Sequence, residues 1–372
     1  MALTANIDER NLAGNTVMLT VESDSGNAVV YQVLDKDDLD VYAGVVITPV
    51  GGVEIDISFL FENLKRKAGV EKYFAVIDDG LDSMRLEFFV FGGGISKSFM
   101  RALREHNTDI FEWKLKSRIR NFFLTTRTNS RIILIPENEL MPIGCYPAGV
   151  YFYIDTDGDN IEDGEYASEP TERYVQIDFE RLRKDYFDSS GKIASEFTLR
   201  TNQMPQVCTI VVTEAKPTKF FLKFLNSFGE FEKIALYGLV SYNPTFEGKD
   251  DILTWDTVIK DFARIQQRKT ISHIYKAETG YRPASDRFFL LDMLLSDECY
   301  LMVGKLEYSV KVSTEADLFD STDGQPINVG LTIEENDTDS RLSMLDMDKS
   351  RIYMLGDSDG NVILNDNNLV QI

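Results

Sequence analysis

The chain has few of the residues on which most catalytic sites depend. Its 372 residues include only two histidines, His106 and His273, and two tryptophans. Neither histidine lies in a recognisable nucleophile motif, and a lone histidine is more often a surface residue or a hydrogen-bonded core residue than a catalytic one. We therefore predict that the protein is not an enzyme.

Cysteine is also scarce. The three cysteines, Cys145, Cys208 and Cys299, are far apart and form no Cys-x-x-Cys pair, which excludes a disulfide framework and a cysteine-rich zinc site. We expect buried free thiols. The first residues lack a basic segment followed by an apolar one, and no apolar run approaches ~18 residues. We therefore expect folding in a reducing cytoplasm, without membrane insertion.

Basic charge is in deficit. The chain has 39 lysines and arginines against 61 acidic residues, a net charge of −22. A nucleic acid or an anionic membrane surface needs a basic face, so neither is expected as the main partner. The most basic stretch, 114–131, spaces its first cations by two, as on the solvent face of a strand. An acidic surface keeps a protein soluble and can hold divalent cations.

The residues that are present predict a mainly β protein. Hydrophobic residues make up 43% of the chain, enough for real cores. Segments such as 17–21 and 53–57 alternate with the period of two that half-buried strands require. Strands broken by turns at short spacing favour two β-sandwich-like domains with a few short helices. Apolar runs on both sides of Asn226 to Gly229 predict a buried hairpin at 220–238.

Four short helices are predicted among the strands. Ser58 and Ser96 suit the N-caps of helices at 59–67 and 97–104. A third helix is predicted at 255–265, and a fourth begins at Ser285 with an apolar stripe at 289–294.

Composition also predicts the domain limits. Residues 1–15 are mostly polar and predict a mobile arm that orders on a neighbouring subunit. The first β-rich domain is predicted at 16–154 and the second at 173–372. The acidic linker between them, 155–172, has eight Asp or Glu, one Pro and two Gly, with little that enters a core.

The start of this linker is a candidate calcium loop. Asp155, Asp157, Asp159 and Asp163 occupy its first, third, fifth and ninth positions. A looped backbone with this spacing aims several carboxylate oxygens at one calcium ion, which takes about six to eight oxygen ligands. Asn160 stands where similar loops have glycine, and it tolerates the left-handed conformation. The alternative interpretation is a solvated acidic turn. A loop at 357–361 repeats the spacing, but a plain hairpin explains it.

Several packing and turn motifs are distributed along the chain, at 53–58, 91–96, 226–229, 279–281, 290–296 and 353–361. Together they resemble a family of structural proteins, associated with the virion or the tail, of Bacteroidetes phages and prophages. The resemblance covers about residues 16–364. It implies a building block that binds its own copies, as a homo-oligomer, and other virion structural proteins. It also implies a location in the virion, after synthesis in the cytoplasm of the bacterial host.

Two other hypotheses come from different classes of protein. The first is a calcium-dependent glycan-binding or adhesion module of a tail, which predicts exposed aromatic rings beside the calcium loop. Tyr151 and Tyr153 alternate with Phe152, which favours packing over sugar stacking. The second is a glycan-degrading enzyme, which needs two carboxylates across a cleft. The sequence singles out no such pair, so this hypothesis ranks last.

Overall fold

The structure of the chain is a computed structural model. It describes residues 3–23, 28–48, 52–106, 110, 123–127, 131–145, 152–156, 174–201, 208–248, 252–258, 260–265, 269–314, 326–339, 362–363 and 369–370. The fold is mainly β, with several sheets and short helices, as predicted. The chain forms two compact units. The first comprises Met1–Glu214, Leu225–Glu232 and Leu295–Asp297, and the second comprises Ala215–Phe224, Lys233–Leu294 and Glu298–Ile372.

Two sheets form the first part of the first unit. A three-stranded sheet has the order β1-β3-β6 and a five-stranded sheet the order β2-β8-β7-β4-β5, which leaves β5 at an edge. The strands are β1 (Thr4–Ile7), β2 (Arg10–Leu12), β3 (Met18–Glu22), β4 (Ala28–Asp35), β5 (Asp40–Ile47), β6 (Val53–Asp56), β7 (Val70–Asp78) and β8 (Ser83–Phe91).

These two sheets share one hydrophobic core, as expected of a sandwich. Leu19 and Val21 on β3 are fully buried and belong to the same cluster as Val33, Ala75 and Phe88 on the larger sheet. A 3-10 helix at Ser58–Leu64 adds Phe61 to this core. The helix lies where one is predicted, but Ser58 is inside it and Ile57 precedes it without a side-chain cap.

The predicted N-terminal arm is wrong for the residues that the structure describes. Thr4–Ile7 pairs with β3 and Arg10–Leu12 pairs with β8. Leu3, Ile7 and Leu12 are buried, since these isolated apolar residues anchor an otherwise polar segment. Because these buried residues are widely spaced, the segment is polar in composition, and composition alone does not indicate its strands.

The second core of the first unit is built on a four-stranded sheet in the order β11-β13-β14-β9, with a separate β10-β12 pair. Phe179 and Leu182 of a helix pack into this core. Helix α1 (Lys97–Glu105) precedes this core and packs Leu103 in another cluster, with Leu12 and Phe91. The elements of the second core are β9 (Ile132–Pro136), β10 (Ile143–Cys145), β11 (Phe152–Thr156), β12 (Val175–Ile177), α2 (Phe179–Ser190), β13 (Glu196–Thr201) and β14 (Cys208–Thr213).

The two units are not divided at the predicted linker, 155–172, because the first unit continues to Glu214. Strand β11 enters the 155–172 segment and pairs with β13, which follows it. The segment and the strands on both sides of it therefore belong to the first unit. Acidic, turn-rich composition is equally typical of a connection between two strands within one unit.

Two helices test the predicted caps. Ser96 caps α1 as predicted, because its hydroxyl accepts the Phe99 amide at 3.3 Å. Helix α2 was not predicted from the sequence. Asp178 caps it by accepting the Arg181 amide at 3.0 Å, and Gly191 ends it with φ 69°.

The second unit is dominated by one eight-stranded sheet, in the order β16-β15-β22-β23-β24-β21-β17, with β18 also paired to β21. Its strands are β15 (Phe220–Leu225), β16 (Phe231–Ala235), β17 (Val240–Tyr242), β18 (Thr245–Gly248), β21 (Lys269–Glu278), β22 (Cys299–Val303), β23 (Leu306–Ser313) and β24 (Gly330–Asp339). The second unit also contains two small antiparallel ribbons, β19 (Ile252–Asp256) with β20 (Asp261–Ile265) and β25 (Val362–Ile363) with β26 (Leu369–Val370).

One helix, α3 (Arg287–Leu295), belongs to the core of this sheet. Phe289, Leu290 and Met293 are fully buried, which confirms the predicted stripe. The hairpin predicted at 220–238 is also confirmed by β15 and β16. The predicted helix at 255–265 is wrong, because β19 and β20 form an antiparallel ribbon there.

Candidate interaction site

Strand β5 has the sequence DVYAGVVI, with no charged residue after Asp40. It pairs with β4 along one side, from Ala28 opposite Ile47 to Leu34 opposite Asp40. In the part of the chain that the structure describes, no strand lies on its other side. One row of backbone N–H and C=O groups therefore faces outward, as on any edge strand.

The side chains of β5 alternate between the core and solvent. Tyr42 and Val46 pack against the sandwich core, whereas the residues between them point outward. Among these, Val45 is 67% exposed and Ile47 is 74% exposed. Three further exposed apolar residues adjoin them, and we call the whole set the β5 patch: Val30, Leu39, Val41, Val45 and Ile47.

Along β5 itself and the turn that precedes it, the charged residues lie at one end. The turn before the strand contains Asp35, Asp37 and Asp38. The Asp35 carboxylate accepts the amides of Asp37 and Leu39, both at 2.9 Å, and Asp38 forms an ion pair with Arg85. The turn is thus acidic and locally ordered, whereas the rest of β5 is uncharged.

Native edge strands are usually protected from pairing with other chains by lysine, proline or a bulge. Strand β5 has no lysine or proline. Its only register irregularity lies at the acidic end, where Val41 is the extra residue between the Val33–Tyr42 and Leu34–Asp40 pairs. Gly44 lies close against the Tyr31 ring of β4, where an added Cβ would be 2.5 Å from the ring. The chemistry that this edge supports is the addition of another strand.

The predicted calcium loop is only partly within the described residues. Asp155 lies at the end of β11, where Arg200 Nε is 2.8 Å from its Oδ1 and 2.7 Å from its Oδ2. Asp157, Asp159 and Asp163 lie outside the described residues. Among the residues with described positions, no group of three or more His, Cys, Asp or Glu is arranged to hold a metal. Calcium at this loop stays a prediction.

A buried charged network, which sequence reasoning missed, lies in the first unit at the turn between β15 and β16. Glu232 Oε2 is 3.3 Å from Arg127 Nε and accepts the Thr125 hydroxyl at 2.8 Å. Asn226 Nδ2 donates to Glu232 Oε1 at 2.7 Å, and Arg127 Nη1 donates to Glu139 Oε2 at 2.8 Å. Burial raises the pKa of Glu232, and the charge of Arg127 opposes that rise.

Glu230 is the second buried carboxylate of this turn. The Tyr174 hydroxyl donates to its Oε1 at 2.7 Å, and the Gly144 backbone and the Gln176 side chain also form hydrogen bonds with this carboxylate. Burial is the main reason that the pKa of Glu230 is raised to about 7. The nearby Glu232 carboxylate also raises this pKa, whereas the hydrogen bonds from Tyr174, Gly144 and Gln176 lower it. The available signal was the spacing of Glu230, Glu232 and Ile234, which alternate onto one buried face.

The histidines and cysteines have the environments that were predicted. His106 ends α1 at the surface. His273 is 1% exposed at a bulge of β21, with Nδ1 at 2.7 Å from the Tyr242 hydroxyl. All three cysteines are buried and free.

An exposed aromatic pair lies on the β19–β20 ribbon. Trp255 and Phe262 are directly opposite each other, with ring centroids 5.3 Å apart at 77°. They are 52% and 60% exposed, and Asp256 and Asp261 follow and precede them at the turn. We call these four residues the aromatic ribbon.

Comparisons with known proteins give no indication of function. No protein-family model matches the sequence, and no curated protein is significantly similar to it. None of the helices among the described residues has the length and apolar character needed to cross a bilayer.

Proposed function

We propose that the chain is a non-enzymatic structural protein of a phage virion, a component of a tail, ring or adaptor. It acts through self-association and through contacts with other virion proteins, after synthesis in the cytoplasm of the bacterial host. The resemblance along residues 16–364 suggests this class of protein. The observation that carries the proposal is the uncharged, exposed edge of β5 in a strongly acidic chain.

The argument is electrostatic. Copies with a net charge of −22 repel one another, so a stable contact between them needs a surface free of acidic groups. The β5 patch provides such a surface, with open backbone groups beside it. Fully burying a valine or isoleucine contributes about 1.5–3 kcal/mol, so a few such residues offset a substantial repulsion.

The test is the mass of the purified protein by light scattering over a wide range of concentrations, together with the protein composition of purified particles. We expect a mass above that of the 42.3 kDa chain and its presence in particles at a fixed stoichiometry. A monomer at every concentration that is also absent from particles would contradict the proposal.

Calcium belongs to the same proposal, with Asp155, Asp157, Asp159 and Asp163 as its ligands. Bound calcium would remove the repulsion between these carboxylates and stiffen the connection that contains them. Asp155 would then have to share its carboxylate between the ion and Arg200. Repeating the mass measurement with calcium and with a chelator tests this role, and equal masses would argue against it.

The aromatic ribbon favours a second candidate function, a glycan-binding or adhesion module of a tail. Exposed Trp255 and Phe262 rings beside Asp256 and Asp261 provide apolar faces for a sugar ring and acceptors for its hydroxyls. We expect Trp255→Ala to abolish retention on host polysaccharide, whereas Tyr281→Ala, at another exposed aromatic residue, retains it. Absence of retention of the unmodified protein would remove this candidate.

A further inference from the structure

We infer that two copies of the chain associate by antiparallel pairing of their β5 strands, about a two-fold axis beside Ala43. The inference rests on the proposed self-association and specifies its surface, orientation and register. It begins with the open edge: within the described residues β5 is hydrogen-bonded to a strand only on its β4 side. A second β5 would satisfy the outward backbone groups and extend each five-stranded sheet across the contact.

The charge distribution selects the antiparallel orientation. A parallel pair would place the two acidic turns, each with Asp35, Asp37 and Asp38, side by side. An antiparallel pair centred on Ala43 separates the two Asp40 residues by about 20 Å along the strands. Charges at that distance are largely screened, because the Debye length is about 8 Å at physiological ionic strength.

The exposed side chains select the register. Pairing centred on Ala43 places Leu39 opposite Ile47 of the second copy and Val41 opposite Val45 of the second copy. Each large exposed side chain on this edge then meets another across the strands, and branched cross-strand pairs of this kind stabilise a sheet. A centre at Gly44 would place Leu39 opposite position 49, beyond the end of β5, and Val45 opposite the small Ala43.

The symmetry makes this contact closed. The same strand is used on both copies, so one pairing occupies both open edges. A two-fold axis perpendicular to the sheet also keeps the exposed stripes of the two copies on the same face, where they form one continuous apolar surface. The unit of assembly is therefore a dimer, to which other contacts add.

A charge placed on the edge tests the surface. Val45→Lys adds an edge lysine at a side chain that is 67% exposed, so the fold tolerates it. We expect the dissociation constant of the dimer to rise by about tenfold or more. The matched control is Leu81→Lys, at a turn residue of the same unit that is 77% exposed, and it should leave the constant unchanged.

Disulfide trapping tests orientation and register. Ala43→Cys should form a cross-linked dimer by itself. Val41→Cys and Val45→Cys should each fail alone but cross-link when mixed, because in the antiparallel pair identical positions lie about 13 Å apart. The native cysteines are buried, and the unmodified protein is the background.

The outcomes separate the inference from the proposed function. A wild-type dimer that is lost in Val45→Lys, with the mixed cross-link, supports both. Undiminished association of Val45→Lys, or cross-linking of Val41→Cys alone, overturns the β5 pairing but leaves a self-associating structural protein. A wild-type chain that is monomeric at all concentrations and absent from particles overturns the proposed function, and the inference with it.

Discussion

Glu230 makes the stability of the protein depend on pH. The side chain is 2% exposed, and burial places its pKa at about 7, above the ordinary value of 4.5. The titratable groups that act on Glu230 are Tyr174 and Glu232, and each has a further neighbour, Cys145 beside Tyr174 and Arg127 beside Glu232. The folded protein thus binds this proton more tightly than the unfolded chain does. The resulting stabilisation is complete below about pH 4.5 and is lost as the pH rises through about 7.

Replacing Glu230 by glutamine should remove this dependence. At pH 8 we expect the free energy of unfolding of Glu230→Gln to exceed that of the unmodified protein by about 3 kcal/mol, because no buried charge forms. At pH 4.5 the two proteins should be equally stable. Urea unfolding at a series of pH values measures both quantities.

Glu214→Gln is the matched control for that series. Glu214 is exposed, so its replacement should leave the curve of stability against pH unchanged. A Glu230→Gln protein that keeps the same slope between pH 5 and pH 8 as the unmodified protein would show that another group is responsible.

At the scale of elements, two glycine-rich turns of the first unit depend on each other. Gly93 and Gly229 have φ values of 75° and 76°, and a Cβ on Gly229 would lie 2.5–2.6 Å from backbone atoms of Gly92. The Gly69 amide also donates to the Gly229 carbonyl at 2.9 Å. The glycines of the motif at 91–96 therefore allow close backbone-to-backbone packing.

A Gly229→Ala substitution should destabilise the protein by more than the strain of a left-handed alanine, about 1–2 kcal/mol. Gly191→Ala isolates that strain, since Gly191 has φ 69° but nothing within 4 Å of an added Cβ. Thermal melting of the two variants measures the difference. Equal melting temperatures would mean that the turn at Gly229 moves away to admit a methyl group.

The elements that the sequence predicts correctly are those in which local pattern and burial agree. The β15–β16 hairpin and α3 have clear periodicity and turn residues, and both are present. The β19–β20 ribbon was wrongly predicted as a helix. Trp255 and Phe262 pair with each other across the two strands and are exposed, so they do not mark a buried face from which a strand could be recognised. The edge position of β5 depends on the strand order of the sheet, which local sequence does not encode.

The whole molecule combines strong repulsion with a small uncharged contact. A net charge of −22 acts over the full surface, whereas the β5 patch acts only where two copies touch. Repulsion between exposed charges falls as salt shortens the Debye length, and apolar contact and strand pairing do not weaken in the same way. Ionic strength therefore distinguishes this form of self-association from one held by ion pairs.

We expect association to strengthen as sodium chloride rises from about 50 mM to about 500 mM, because the Debye length falls several-fold over that range. Sedimentation equilibrium at several salt concentrations measures the dissociation constant. In Val45→Lys the same series should show weak association throughout, since screening alone supplies no attraction. An increase of the wild-type dissociation constant with salt would instead place the contact among charged groups, for which the exposed Lys97, Arg101 and Arg104 of α1 are the cations to substitute next.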